Sequence, residues 1–582
     1  MLPLGFSPAR ITTLLARGRS EELCELWLDT LDRIARLPPV LPSPEVRATS
    51  TIIIQSLCFC FCQADFRIPD NLLTRFINHN SLVADLAAAS AFGTTDFAVE
   101  QMANRPDQLA KLLVLYSTRN RTKLDLVPAC VLLPVAVSHW YIACCTDASY
   151  HVDSEAFRRF REHLEEIDRF DLVADGQHLN APYFIATYVD ATVERKVKGY
   201  INGMVRRAVG DTYLMNPAAV DPRHVVVLSG AWRHKHSVHR TNYNFVAALK
   251  DHYRLTFVKL AGISAPEEDL FDDVVDLSGD IGRLRGLGAQ VAFFPDVGML
   301  FDSVVVCNLR IAPIQIMGFG HPVSTFGSEI DYCLSGREIE DNRTAAAHYS
   351  ERLILLPGRG VAAKPIPGLR PMSSPSGDLV RVALPWSPAK FNPRMLALMR
   401  EVADQAKRPV RYQIILRQGL DSMGMCSFIS GLREALGSDR IDITAKWLDQ
   451  PAYMEWLGGA HVSADSHPFA GFNTIVDALF VGIPPVAFEG DRSFSRFGPH
   501  LLRKLKLTEL VAGSVDSYAK LLLRLIDDEG WREDMQARVR AIPLDRIFEH
   551  DDGSGFRKAV DRLIACHDTL SGKASRDPIV ID

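Results

Sequence analysis

Residues 461–490 read His-Val-Ser-Ala-Asp-Ser-His-Pro-Phe-Ala-Gly-Phe-Asn-Thr-Ile-Val-Asp-Ala-Leu-Phe-Val-Gly-Ile-Pro-Pro-Val-Ala-Phe-Glu-Gly. A short apolar run ends at Asp465, and a turn holding Pro468, Ala470 and Gly471 follows. An apolar segment from Asn473, a Gly-Ile-Pro stop and a second apolar run complete the stretch. This is the pattern of a strand–helix–strand unit. The small residues of the turn let backbone approach a ligand closely. Asn473 is a good N-cap. The free N–H groups of the helix's first turn carry partial positive charge and suit a diphosphate. Asp477 lies one helical turn beyond Asn473 on the same face, where a carboxylate can accept two sugar hydroxyls. On this stretch alone two readings stay open: a nucleotide seat, or an ordinary strand–helix–strand unit with a capped helix.

The rest of the chain repeats the pattern. Residues 224–231, 255–261, 291–295, 314–320, 332–334 and 353–357 are short apolar runs separated by helical segments, and read as buried parallel strands. A second set falls at 381–386, 412–416, 441–444, 461–464, 485–488 and 510–511. Residues 359–379 between them are rich in Pro, Gly and Ser without periodicity, which reads as a linker. Upstream the texture is helical: Leu23, Leu26, Trp27, Leu31, Ile34 and Leu37 recur at three-to-four spacing. No tetratricopeptide-like self-similarity is present. The expected organisation is an all-α domain (1–218), a Rossmann-like lobe (219–358), a linker (359–379), a second Rossmann-like lobe (380–545) and a C-terminal helix and tail (546–582). The helix at 556–567 is expected to cross back and brace the first sheet.

A chain of 582 residues with a net charge of −5 carries no global basic footprint, so nucleic acid is not an expected partner. The 11 cysteines form no Cys-x-x-Cys pair. Cys58, Cys60 and Cys62 sit in an apolar run and read as core thiols in a reducing compartment, the cytoplasm. The longest apolar run, 52–62, is interrupted by Gln55 and Ser56, and the N-terminus lacks the pattern of a signal peptide. No membrane anchor is expected. Arg119, Arg121 and Lys123 beside Tyr116 read as a solvated loop, or as a seat for a phosphate or an acidic peptide.

Four segments carry a resemblance. The first runs from Arg310-Ile-Ala-Pro-Ile-Gln through Gly320-His321-Pro322 to Ile330-Asp331-Tyr332. The second is His236-Ser-Val-His239-Arg240-Thr241, the third Lys390-Phe-Asn-Pro393, and the fourth the opening stretch. Together they resemble the cytoplasmic glycosyltransferases that modify bacterial high-molecular-weight adhesins, relatives of protein O-GlcNAc transferase in glycosyltransferase family forty-one. The resemblance implies an α/β GT-B fold, two facing Rossmann-like domains preceded by an all-α domain. The first lobe would lie on the acceptor side and the second would bind UDP-sugar. It implies that His236 and Lys390 are catalytic and that Lys390 neutralises the donor diphosphate. Asn473, Thr474 and Asp477 would hold the donor, and Gln418, at a strand end, is placed beside them by position alone. His321, His239 and Arg240 would line the acceptor cleft. The turn 467–472 departs from the family's pattern.

The implied reaction is inverting transfer of a hexose, glucose or galactose, from UDP to Asn of Asn-x-Ser/Thr in a bacterial surface protein or adhesin. The partners are then UDP-sugar and a polypeptide, with no cofactor and no metal. His234, His236 and His239 have no carboxylate or cysteine near them in sequence, and the acidic run at 267–273 reads as a helix or loop surface. The alternatives are O-linked transfer to Ser/Thr, a sugar-nucleotide epimerase, or a non-catalytic module that keeps the fold.

Overall fold

The computed structural model describes residues 7–571 and 576–582, except 104, 147–151, 171, 173–178, 210–214, 216–218, 235, 261, 263, 342, 362, 365–376, 417–421 and 549–550. The chain divides into two compact units. One comprises Met1–Asp175, Trp386–Gln405 and Arg411–Leu448; the other comprises Gly176–Pro385, Ala406–Val410 and Asp449–Asp582.

The strands in chain order are β1 (Asp221–Ser229), β2 (Arg254–Lys259), β3 (Asp273–Asp276), β4 (Ala289–Phe294), β5 (Ile314–Met317), β6 (Tyr332–Gly336), β7 (Arg352–Leu356), β8 (Val380–Leu384), β9 (Val410–Ile415), β10 (Ile441–Thr444), β11 (Val462–Ala464), β12 (Pro485–Phe488), β13 (Val511–Ala512) and β14 (Ile579–Val580). The apolar runs became strands as expected. Two short strands without a long apolar run, β3 and β14, did not stand out in the sequence.

The first unit is mostly helical. Helix Pro44–Cys62 is long and apolar enough, by length and composition, to cross a membrane. Here it buries Ile53, Ile54, Leu57, Cys58, Cys60 and Phe61 inside the unit. Helix Ser422–Leu436 is enclosed by the N-terminal helices. Ser422 Oγ donates to Ile34 O at 2.8 Å, and Ser427 Oγ donates to the buried Asp85 at 2.5 Å. Arg119 also bonds Asp85, so it is a structural cation rather than part of a solvated loop. Arg121 and Lys123 are exposed. They border a cavity of about 590 Å³ walled by Tyr116, Trp140, Arg159 and Phe170. In this unit β9 pairs parallel with β10 from Tyr412–Ile441 to Ile415–Thr444.

The second unit holds an eight-stranded, wholly parallel sheet in the order β14-β7-β6-β5-β4-β1-β2-β3. It also holds β8, β11, β12 and β13, which pair parallel through β11–β8, β11–β12 and β12–β13. Parallel strands are covered on both faces, and the burial agrees: Val225, Val227, Val291, Phe293, Ile314 and Ile316 pack on one side, Val226, Leu228, Ala292, Phe294 and Met317 on the other. The C-terminal helix Ser554–Ser571 does brace the first sheet. Phe556 lies 4.8 Å from Phe293 and 5.3 Å from Phe245, ring centre to ring centre. The tail beyond it supplies edge strand β14. Helices Asn180–Ile185 and Ala191–Val209 belong to this unit; Asn202 Nδ2 donates to Thr325 O at 2.6 Å and Tyr183 Oη to the same oxygen at 3.2 Å. The described start of the linker stretch is packed, with Arg359 and Val361 buried and Lys364 N donating to Arg240 O at 3.2 Å. Its residues 365–376 lie outside the described residues.

Candidate active site

Past the end of β1 the chain turns into helix Ser237–Ala247, and His236 caps it. The Nδ1 of His236 accepts the Val238 N–H at 3.3 Å, so the neutral ring carries its proton on Nε2. Burial, then the charges of Arg233 and His239, hold its pKa below the ordinary value of 6.5. At neutral pH His236 therefore presents an N–H donor to a ligand rather than a free basic nitrogen on the cap side. A lowered pKa favours the neutral ring, which is lost only as pH falls through the lowered value. The acid limb of kcat/KM that depends on His236 is expected below pH 6.5, the ordinary value. A limb at or above pH 6.5 that disappears in His236→Ala would contradict this.

His239, in the first turn of the same helix, is 1% exposed. Its Nε2 is hydrogen-bonded to Glu267. The absence of a neighbouring carboxylate was a feature of the sequence order only. The fold brings Glu267, 28 positions further on, against the histidine. Arg240, expected on the acceptor side, turns to helix Asn473–Val481: its Nη2 donates to Asp477 Oδ1 at 3.2 Å, and both side chains are buried.

The opening stretch folds as strand β11, a turn, helix Asn473–Val481 and strand β12. The Gly-Ile-Pro stop works as expected, because Gly482 closes the helix at φ 82°. The cap does not. Phe472, not Asn473, stands at the N-cap and gives no side-chain cap bond. Its ring is held 5.3 Å from Phe497 and 5.1 Å below the Arg359 guanidinium. This packing starts the helix one residue earlier than a capping Asn473 would, so Asn473 becomes its first residue. Its Oδ1 is buried and takes no hydrogen bond among the described residues. The turn is tied down by Asp465, whose Oδ1 accepts the N–H of Ser466 at 2.9 Å and of Gly471 at 2.8 Å. A Cβ at Gly471 would lie 1.8 Å from Thr474 Oγ1, so a side chain there would have to displace that hydroxyl. Asn473 and Asp477 share a helix face one turn apart, as expected. Asp477 is engaged by Arg240, so a ligand hydroxyl would share the carboxylate with that guanidinium.

His321 follows β5. Gly318 and Gly320 donate to Phe294 O and Pro295 O at 2.9 and 2.7 Å, which holds this loop against the end of β4. The imidazole is buried among Phe184 (4.7 Å), Phe469 (5.8 Å) and Tyr188 (6.4 Å). Burial, with the nearby Lys198, keeps its pKa well below 6.5. Neither ring nitrogen has a hydrogen-bond partner among the described residues. A neutral donor–acceptor pair left unpaired in an apolar box is costly unless a ligand meets it.

Two groups here were not singled out from the sequence. Asp296, at the end of β4, is buried; burial pushes its carboxyl up to about 6 against the N–H groups of Gly230 and Ala231 and the hydroxyl of Ser229 that it accepts from. Its place after an apolar run, at a strand's carboxyl end, was the available signal. The other is Glu194, which accepts from Lys198 Nζ at 2.8 Å, Thr187 Oγ1 at 2.9 Å and Arg492 Nη1 at 2.5 Å.

Lys390 belongs to the first unit. It ends the turn Pro388–Lys390, which is anchored by buried Phe391 between Trp386 (5.1 Å) and Phe428 (5.5 Å). Asn392 Oδ1 then accepts Met395 N at 3.0 Å at the start of helix Pro393–Gln405. Gln418 lies outside the described residues.

Parallel sheets with polar groups gathered at strand ends and a helix start, preceded by a helical region, are the architecture of the GT-B glycosyltransferases. The fold matches that of a mutant form of the Thermobaculum terrenum O-GlcNAc transferase, with a TM-score of 0.62 and 17% identity over 97% of this chain and 100% of that one. In sequence the chain is similar to the UDP-glucose:protein N-β-glucosyltransferase of Actinobacillus pleuropneumoniae serotype 5b, at 22% identity over 82% of this chain and 83% of the relative. The serotype 7 protein of that name is 23% identical over the same shares. A probable UDP-N-acetylglucosamine–peptide N-acetylglucosaminyltransferase, SPINDLY of Petunia hybrida, is 27% identical over 38% of this chain and 24% of its own length. No family model matches. In sequence the chain thus resembles the proteins named N-β-glucosyltransferase along most of its length and SPINDLY over a shorter part, while in fold it matches the O-GlcNAc transferase over nearly its whole length.

Proposed function

We infer that the chain is an inverting, UDP-hexose-dependent protein glycosyltransferase that moves glucose, or galactose, to Asn of Asn-x-Ser/Thr. The observation that carries this reading is the similarity, over 82% of the chain, to a protein named UDP-glucose:protein N-β-glucosyltransferase. In the reaction the acceptor amide nitrogen attacks the anomeric carbon. The carbon–oxygen bond to UDP breaks, the diphosphate leaves with the electron pair, and the amide proton passes to a base or to water. Lys390 and the start of helix Asn473–Val481 offset the charge that grows on the diphosphate. The Nε2–H of His236 adds a hydrogen bond, and Asp477 holds donor hydroxyls. No divalent cation takes part in this chemistry. The acceptor is a bacterial surface protein such as an adhesin, modified in the cytoplasm before export. Free cysteines throughout the described residues accord with a reducing compartment.

O-linked transfer to Ser/Thr is the second reading, favoured by the similarity to SPINDLY. The test is incubation with UDP-glucose, UDP-galactose or UDP-N-acetylglucosamine and an Asn-x-Thr peptide, read by intact mass. A hexose gain lost on Asn→Gln in the peptide is expected. A gain that survives that change and is lost with the Thr selects O-linkage. UDP binding with no mass gain from any donor overturns transfer to this peptide class.

A further inference from the structure

We propose that His234, His239 and Glu267 form a binding site for a borderline divalent cation of the zinc class, apart from the transfer chemistry. The three side chains come from different segments: the turn after β1, the first turn of helix Ser237–Ala247, and the loop that leads to β3. One ligand atom from each lies within 4.8 Å of the others. Around a tetrahedral ion with metal–ligand bonds of about 2.0–2.1 Å, such atoms stand roughly 3.3 Å apart. The contraction is within reach of the exposed His234, whose ring already lies 5.5 Å from that of His239.

The other two ligands are fixed in advance. Glu267 Oε2 accepts the indole N–H of Trp232 at 3.0 Å, which aims the carboxylate and leaves Oε1 on His239. His239 is wedged between the rings of Trp232 (5.3 Å) and Tyr243 (5.1 Å), and its buried Nδ1 has no hydrogen-bond partner among the described residues. The loops themselves are stitched together by Ala265 N to Trp232 O at 2.6 Å and Trp232 N to Ser264 Oγ at 3.0 Å. Two imidazoles and one carboxylate suit zinc, cobalt or nickel, and not the all-oxygen preference of magnesium or calcium. Exposure at His234 leaves a fourth position for water. A bound ion would clamp the turn that carries His236 to the loop that carries Glu267.

The test is titration of the metal-free full chain with cobalt(II) chloride, followed by absorption and calorimetry. One equivalent is expected to bind, with visible ligand-field bands and no thiolate-to-cobalt charge-transfer band. His234→Ala and Glu267→Gln should each weaken binding by about tenfold or more. His234 is exposed, so its variant keeps the fold, as circular dichroism would verify. Three outcomes overturn the proposal: no saturable one-equivalent binding, a thiolate charge-transfer band, or wild-type affinity in either variant.

Discussion

Glu194→Gln is expected to destabilise the second unit by about 3–5 kcal/mol at neutral pH, the range for breaking a buried ion pair from one side. Glu194 and Lys198 are fully buried and Arg492 is nearly so. Two cations converge on one carboxylate. Gln keeps the shape and the acceptor oxygen, but it leaves two buried positive charges without a counter-charge. The pH dependence gives an independent check. Burial would raise the Glu194 carboxyl, yet Lys198 and Arg492 outweigh it and hold the group at about 2, against an ordinary 4.5. At ~1.4 kcal/mol per pH unit, that interval corresponds to ~3 kcal/mol. The folded pKa is depressed, so this stabilisation is present above pH 4.5 and is lost as pH falls from 4.5 towards 2. Urea unfolding followed by tryptophan fluorescence should show the full wild-type-to-variant gap at pH 7. More than half of it should be gone by about pH 3. The double variant Glu194→Gln/Lys198→Met, which removes one stranded cation, should recover part of the loss. Equal midpoints for wild type and Glu194→Gln at pH 7 would contradict the account.

The same cluster shows where sequence reasoning stops. Glu194 and Lys198 are four apart on a helix, a spacing that ordinarily marks a solvated surface pair. Only the approach of Arg492, 298 positions away, and burial under the loop after β5 make it an interior charge cluster. Glu267 reached His239 in the same way, from an acidic run that looked like surface. Sheet elements were legible because a strand covered on both faces writes a continuous apolar run, as at 224–229 or 485–488. β3, with sequence Asp-Val-Val-Asp, and β14, two residues long, write none. The helix start at residue 473 was legible to within one residue. Its cap was not, because a local rule that favours Asn lost to the packing of Phe472 on Phe497 and Arg359. Residue types for the candidate site were readable at His236, His321 and Asp477. Their states were not: the proton on His236 Nε2, the imidazole of His321 with no hydrogen-bond partner among the described residues, and the Arg240 partner of Asp477 follow from tertiary contacts.

Lys390→Ala is expected to lower kcat for sugar transfer by about 10²–10³-fold, the usual loss when one preorganised group facing a developing anion is removed. UDP affinity should fall less. In the proposed reaction the diphosphate gains charge as the bond to the sugar breaks, so an ammonium placed beside it would contribute more in the transition state than in the bound donor. The substitution should leave the fold intact. The turn that carries Lys390 is anchored by its neighbours, Phe391 in the core and Asn392 capping the next helix, while Lys390 itself is only half-buried. Lys390→Arg keeps the charge on a longer, planar group and should restore part of the rate without reaching wild type. The measurements are initial rates by intact mass of the acceptor peptide and UDP affinity by calorimetry. A parallel loss in UDP affinity and rate would assign Lys390 to ground-state donor binding instead. A wild-type rate in Lys390→Ala would remove the residue from the transfer mechanism. If the unsubstituted chain binds UDP and polypeptide but transfers nothing, the fold serves as a binding module, and neither Lys390 variant should alter polypeptide binding.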